Sequence, residues 1–117
     1  MKYREFVEYR RRINEKIMKE GGLITKRFFS LDSGVYMDGK LPAKTKEMMG
    51  LVASIVMRCN DCILYHLDRC IELGYSDEEL HEAMEVAMIV GGSITIPHIR
   101  YAYEMIDEIR KEKISGK

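Results

Sequence analysis

An all-α fold is predicted by three features of the sequence: scarce proline, apolar residues at helical spacing, and helix-end signals between the apolar runs. The chain has only two prolines, Pro42 and Pro97, and each can occupy the first turn of a helix, where its missing N–H costs no hydrogen bond. Since 117 residues, 46% of them hydrophobic, suffice for one core, we expect a single domain over residues 1–117.

The amino-terminal third divides into one clear helix and a less regular stretch. Residues 3–20 form the predicted helix, because apolar side chains recur there at helical spacing, and Gly21-Gly22 ends it. Residues 23–40 contain many residues that are typical of turns, namely Asp32, Ser33, Gly34, Asp38 and Gly39. We therefore expect a long loop or a single short helix in this stretch.

Four further helices follow, each with an apolar stripe at helical spacing and a recognisable end. They are predicted over about residues 42–57, 61–73, 77–90 and 97–110. Ser76 and Glu79 form a capping box that opens the third of them, and Gly91-Gly92 closes it. Residues 111–117 are expected to be a frayed tail.

The charge pattern argues against two classes of partner. Nineteen basic residues balance nineteen acidic ones, whereas nucleic-acid and anionic-membrane binders usually carry a basic surplus. Arg10, Arg11 and Arg12 are interleaved with acidic neighbours, which favours a solvated helix face. The apolar run of residues 51–57 is far shorter than the ~20 residues that span a bilayer. With no apolar leader after Met1, we expect a cytoplasmic protein without nucleic-acid or membrane partners.

The strongest chemical signal is the cluster of Cys59, Cys62 and His66. A C-x-x-C pair at the start of a helix can close a disulfide, and the free N–H groups there stabilise a thiolate. His66 lies four residues after Cys62, so on a helix the imidazole and the thiol share a face and can exchange a proton. An attacking thiolate, a resolving thiol and a base together form a minimal redox unit.

Two other interpretations of these cysteines stay open. Cys59, Cys62, His66 and Cys70 share one face of a continuous helix, but ligands on one face cannot surround a tetrahedral ion. A metal could then be held only between subunits, and no cofactor is predicted. Alternatively, the cysteines are inert core residues, as many buried cysteines are. We assign that packing role to Cys70.

Glu47 is the next candidate for the site. It precedes Cys59 by twelve residues, which is ~18 Å on an unbroken helix, so it can approach His66 only if the chain reverses. A break near Arg58 or Cys59 would achieve this and would also expose a helix N-terminus at the C-x-x-C. Taken alone, the position of Glu47 favours a solvated first-turn residue beside Lys44 and Lys46.

The whole pattern resembles the carboxymuconolactone decarboxylase family, most closely its alkylhydroperoxidase D branch. Leu41 to Glu47, followed by eleven residues and then Cys59-x-x-Cys62-x-x-x-His66, carries the resemblance, and Gly74, residues 76–79, Glu82-Ala83 and Gly91-Gly92 extend it to about Ser93. The combined spacing from the glutamate to the histidine is far more specific than C-x-x-C alone.

The resemblance implies an antiparallel helical bundle that assembles into trimers or hexamers and reduces peroxides at the expense of a dithiol donor. In the peroxidase branch, the residue matching Cys62 attacks the peroxide and the residue matching Cys59 resolves the product to a disulfide. The residues matching His66 and Glu47 relay the proton. The alternative implied by the family name is decarboxylation of a small lactone acid in the same pocket.

This chain departs from the branch between its two cysteines. Asp61 precedes Cys62 where the peroxidases often have a histidine, and a carboxylate there disfavours the thiolate. The first 40 residues match nothing in the family pattern. His81 and His98 are expected on helix surfaces or at subunit contacts, without an assigned role.

Overall fold

The computed structural model describes residues 1–115, and these form six α-helices and one short 3-10 turn. The helices are α1 (Lys2–Glu20), α2 (Leu23–Val35), α3 (Ala43–Val56), α4 (Asn60–Glu72), α5 (Asp77–Gly91) and α6 (Ile96–Ser115), with the 3-10 turn at Ser93–Thr95 between the last two. The all-α prediction is confirmed. Short connections from α3 to α4 and from α4 to α5 make these neighbours antiparallel.

The core lies between α3, α4, α5 and α6. Each contributes fully buried aliphatic side chains, among them Leu51, Leu67, Leu80 and Ile106. Burial of each such side chain stabilises the fold by roughly 1.5–3 kcal/mol before the loss of conformational entropy is counted. α1 joins this core through Tyr3, whose hydroxyl donates to Asp68 at 2.9 Å. The core therefore anchors α3 and α4, the two helices that carry the predicted site residues.

Residues 23–40 contain a longer helix than the sequence predicted. α2 spans 13 residues, and Asp32, Ser33 and Gly34 lie inside it rather than in a loop. Its apolar side chains follow a regular stripe of Ile24, Phe28, Leu31 and Val35, yet no residue of α2 is buried. The turn-type residues are tolerated because this part of the helix is exposed and no packed neighbour selects against them.

The predicted helix ends are confirmed elsewhere, with one extension. Ser76 and Glu79 exchange hydrogen bonds as a capping box at the start of α5. The last helix begins at Ile96 and continues to Ser115, past the predicted end at Arg110, so most of the expected frayed tail is helical. The final part of that tail, residues 116–117, lies outside the described residues.

The chain reverses between α3 and α4 over three residues, Met57 to Cys59. Arg58 has a φ of 60°, in the left-handed region that side chains other than glycine seldom adopt. The Cys59 N–H donates to the carbonyl of Ser54 at 3.1 Å, which closes the turn. This reversal occurs where the spacing of Glu47 and His66 required it, and it places Cys59 at the start of α4.

Candidate functional site

The two cysteines of the C-x-x-C motif form a disulfide at the amino-terminal end of α4. Cys59 is the N-cap of the helix, and its Cα lies 5.3 Å from that of Cys62. The Cys62 N–H donates to Cys59 Sγ at 3.3 Å, so the sulfur also caps the helix. Cys62 is exposed, whereas Cys59 is half-buried. An attacking reagent therefore reaches Cys62 more easily than Cys59.

Glu47 and His66 form a buried pair between α3 and α4. Nδ1–H of His66 donates to Oε1 of Glu47 at 2.8 Å, and Glu47 is only 1% exposed. The interpretation of Glu47 as a solvated first-turn residue is therefore wrong. The acceptor carboxylate fixes the proton on Nδ1, which leaves Nε2 as the ring nitrogen that can exchange a proton with another group.

Arg69 contacts the other oxygen of the same carboxylate. Its Nε–H donates to Oε2 of Glu47 at 3.3 Å, and a second guanidinium nitrogen pairs with Glu72. Burial works against the charge of Arg69, but the hydrogen bond to Glu47 and the nearby acidic groups prevail and raise its pKa. Both oxygens of Glu47 are thus engaged. A pattern signal existed for Arg69, because it lies three residues after His66 on the same helix face, but sequence reasoning missed it.

The His66 ring is enclosed on its remaining sides. A Cβ built on Gly50 would lie 2.6 to 2.9 Å from three atoms of the ring, so the α3 backbone passes directly against it. The rings of Tyr36 and Tyr65 each lie 5.2 Å from the imidazole, between centroids. Only the small residue at position 50 permits this approach. The ring is therefore held by contacts as well as by its hydrogen bond.

A cavity of about 340 Å³ connects His66 with Cys62. Besides these two residues, its wall includes Asp61 of α4, Asp32 of α2 and several residues of α1. The Arg10 guanidinium lies 4.4 Å from the centroid of the Tyr65 ring at this wall, as a cation–π contact. Residues of α1 and α2, to which the sequence pattern gave no role, thus complete the site. Arg10 belongs to it and not only to a solvated face.

The remaining titratable candidates lie away from the cavity. Cys70 is fully buried, and burial, with the charge of Glu47 adding to it, raises the pKa of its thiol to about 12, as suits a packing residue. His81 stacks on Tyr103 with ring centroids 4.5 Å apart, and His98 shares a hydrogen bond of 2.8 Å with Asn60. Neither histidine takes part in the site.

Within residues 1–115, no group of three or more His, Cys, Asp or Glu side chains is arranged to hold a metal ion. Over the same residues, no helix combines the length and apolar character needed to cross a membrane.

Comparison with known proteins identifies the family of the chain. Residues 22–105 match the model of the carboxymuconolactone decarboxylase family. The expectation that the first 40 residues match nothing in the family pattern is therefore wrong for residues 22–40. A crystal structure of a family member from Thermotoga maritima, for which involvement in an antioxidative response has been suggested, is 58% identical. It superposes with a TM-score of 0.90, covering 96% of this chain and 95% of its own.

More distant relatives agree with this placement. A family protein from Legionella pneumophila is 27% identical with a TM-score of 0.84, over 92% of this chain and 96% of its own. A protein encoded in the cox locus of Paracoccus denitrificans is 29% identical over 91 residues, which cover 78% of this chain and 82% of the relative. From the family match, and from a helical fold shared with solved members over nearly its whole length, the chain belongs to the carboxymuconolactone decarboxylase family.

Proposed function

We propose that this protein is a thiol-dependent peroxidase or disulfide reductase that cycles the Cys59–Cys62 pair. The observation that carries the proposal is the placement of an exposed Cys62 in one cavity with His66, while Cys59 lies within disulfide distance and Glu47 orients the imidazole. A nucleophile, a resolving thiol and an oriented base are the groups that such a cycle requires. The suggested antioxidative role of the Thermotoga maritima relative is in keeping with it.

The first step joins Cys62 sulfur to the terminal oxygen of a hydroperoxide. His66 Nε2 accepts the thiol proton, the thiolate attacks, and the O–O bond breaks. The departing alkoxide takes the proton from His66 and leaves as an alcohol, while Cys62 becomes a sulfenic acid. The sulfur loses two electrons and the peroxide gains them. Glu47 stabilises the imidazolium that exists between these transfers.

The second step closes the disulfide. The Cys59 sulfur attacks the sulfenic sulfur of Cys62, the S–O bond breaks, and water leaves with the proton that Cys59 gives up. A dithiol donor then reduces the disulfide by thiol–disulfide exchange and becomes oxidised itself. Such a donor is abundant in the cytoplasm, where we place the protein.

Trapping of the intermediate tests the proposal directly. In a Cys59→Ser variant, the sulfenic acid on Cys62 has no resolving partner, so one equivalent of an alkyl hydroperoxide should yield close to one dimedone adduct per chain. The adduct is located and counted by mass spectrometry. Wild type treated in the same way should give the disulfide instead. Absence of any adduct on Cys62 would overturn the proposal.

A lyase is the second candidate, because the family name refers to decarboxylation and because the Glu47–His66 pair could serve as acid and base without either cysteine. Such a reaction would use the same cavity on a small lactone acid. It predicts activity that survives alkylation of the thiols, which separates it from the leading proposal.

We also propose that the protein forms a homo-oligomer, a trimer or hexamer. The apolar stripe of α2 faces solvent with exposed fractions from 60% to 76%, and a second apolar groove lies between α3 and α5. Exposed apolar surface on this scale favours association with further copies of the same chain.

Sedimentation analysis tests the assembly. Wild type should sediment as a trimer or hexamer, and Phe28→Glu should shift it toward single chains because a charge in the stripe would be buried on association. Ile114→Glu, at an exposed apolar position outside both surfaces, is the matched control and should leave the mass unchanged. A wild type that is monomeric at micromolar concentration would contradict the proposal.

A further inference from the structure

We propose that Arg69 is a positioning residue that keeps Glu47 an ionised acceptor, so that His66 Nε2 stays free of a proton. The inference concerns the same site as the proposed function and rests on it for its catalytic consequence. The location of the proton on the His66–Glu47 pair can be measured without any turnover.

Glu47 is buried, so its charge needs a partner. A carboxylate that is 1% exposed has lost its hydration, and an unpaired charge in such a position is costly. Among the described residues, Arg69 is the cation found in hydrogen-bond contact with it, through Nε and Oε2 at 3.3 Å. His66 bonds to the other oxygen but is neutral when it acts as a base. The ionised state of Glu47 therefore depends on Arg69.

Other ionisable groups also surround the His66 ring. These groups come from four helices and the segment that follows α2. They are Tyr9 and Arg10 on α1, Asp32 on α2, Tyr36 just after it, Glu47 on α3, and Asp61, Cys62 and Tyr65 on α4. The two aspartates favour extra positive charge at the ring. Arg10 opposes them, but its guanidinium lies over the Tyr65 ring, 4.4 Å from the centroid.

Loss of Arg69 should change the protonation of the His66–Glu47 pair in one direction only. With a neutral residue at position 69, the pair binds one more proton, because a buried carboxylate without its cation favours protonation of itself or of its neighbour. If the proton adds to His66, Nε2 carries it as part of the imidazolium. If it adds to Glu47, the carboxyl O–H donates to Nδ1 and the ring proton moves to Nε2. In both cases Nε2 can no longer accept the Cys62 proton.

Nitrogen NMR of the histidine ring tests this directly. In reduced wild type near pH 8, the His66 Nε2 resonance should be of the unprotonated type, and in Arg69→Gln it should be largely of the protonated type. Arg69→Lys keeps the charge and should restore most of the wild-type signal. Glu72→Gln is the matched control, since it removes the other partner of Arg69 without touching Glu47. The His81 and His98 signals are identified by their loss in single Asn variants.

Kinetics supply the second readout. The rate constant for peroxide reduction should fall about tenfold or more in Arg69→Gln near neutral pH and should recover at higher pH. Complete loss of a general base costs about 10²–10⁴-fold, whereas Arg69→Gln leaves the base in place. Glu72→Gln should stay near the wild-type rate. Arg69→Met, which keeps the aliphatic stem, replaces Arg69→Gln if the latter does not fold.

Two outcomes are decisive. An unprotonated Nε2 in the folded neutral variant would overturn the inference, even if stability fell, because a purely structural role predicts that result. A protonated Nε2 in the variant, in a protein whose wild type consumes no peroxide, would support the inference while the proposed function failed.

Discussion

Replacement of Cys62 by serine is expected to lower the rate of peroxide consumption by about a thousandfold or more. A serine hydroxyl is not ionised near neutral pH and cannot be oxidised by two electrons, so neither the attack nor the disulfide can occur. The measurement is loss of an alkyl hydroperoxide by reduced protein under excess dithiol, compared with the background rate of the dithiol alone.

The control for this experiment is Cys70→Ala. Cys70 is fully buried, and its thiol, with a pKa raised to about 12, stays protonated until far above neutral pH. Its removal should leave the rate within about twofold of wild type, a margin smaller than ordinary losses at reacting groups. Equal rates in wild type and Cys62→Ser would refute the thiol mechanism. Lactone turnover that survives alkylation of the thiols would then favour the lyase.

A single methyl group at position 50 is expected to reduce peroxide turnover by about a hundredfold. In Gly50→Ala, the new Cβ would meet Cε1, Nε2 and Nδ1 of His66 at 2.6, 2.8 and 2.9 Å, far inside van der Waals contact. The ring cannot simply swing away, because Glu47 and two tyrosine rings hold it. Its displacement breaks the bond to Glu47, and errors of about 1 Å in a reacting group cost rates of this order.

Stability should change much less than activity in Gly50→Ala. Alanine favours the helical backbone over glycine by about 1 kcal/mol, which partly offsets the displaced ring. Gly34→Ala in α2 is the matched control, since a Cβ there meets no atom within 4 Å and should leave turnover unchanged. Both variants are compared by kinetics and by thermal unfolding. Normal turnover in a folded Gly50→Ala would show that the ring position is not critical.

The sequence predicted features that depend on neighbouring residues better than features that depend on contacts between residues far apart in the chain. Helix ends are set by local signals, so the capping box at Ser76 and the break near Arg58 could be read from the chain. The spacing of Glu47 and His66 showed only that a contact between them needs a reversal of the chain near Arg58 or Cys59. Family resemblance, and not spacing, suggested a role for Glu47.

Two of the missed features, at Arg10 and Gly50, depend on contacts between distant parts of the chain, whereas the miss at α2 has a local cause. α2 was obscured by turn-type residues, which local propensity penalises but an exposed helix end tolerates. In the sequence, Arg10 is one of three adjacent arginines that are expected to be solvated. Its contact with the Tyr65 ring becomes evident only in the folded structure. Gly50 carries no signal in one sequence, since the need for a missing side chain arises only where the His66 ring approaches.

The N-cap of α4 links the redox state of the cysteine pair to the backbone of the helix. Cys59 sulfur is both the acceptor for the Cys62 amide and one half of the disulfide. Each oxidation or reduction therefore alters the electron density of the sulfur atom that caps the start of α4. The hydrogen bond from the Cys62 amide to this sulfur changes with it. The backbone amide of Cys62 is consequently a built-in sensor, so a single NMR resonance can follow the redox state of the pair without any added label.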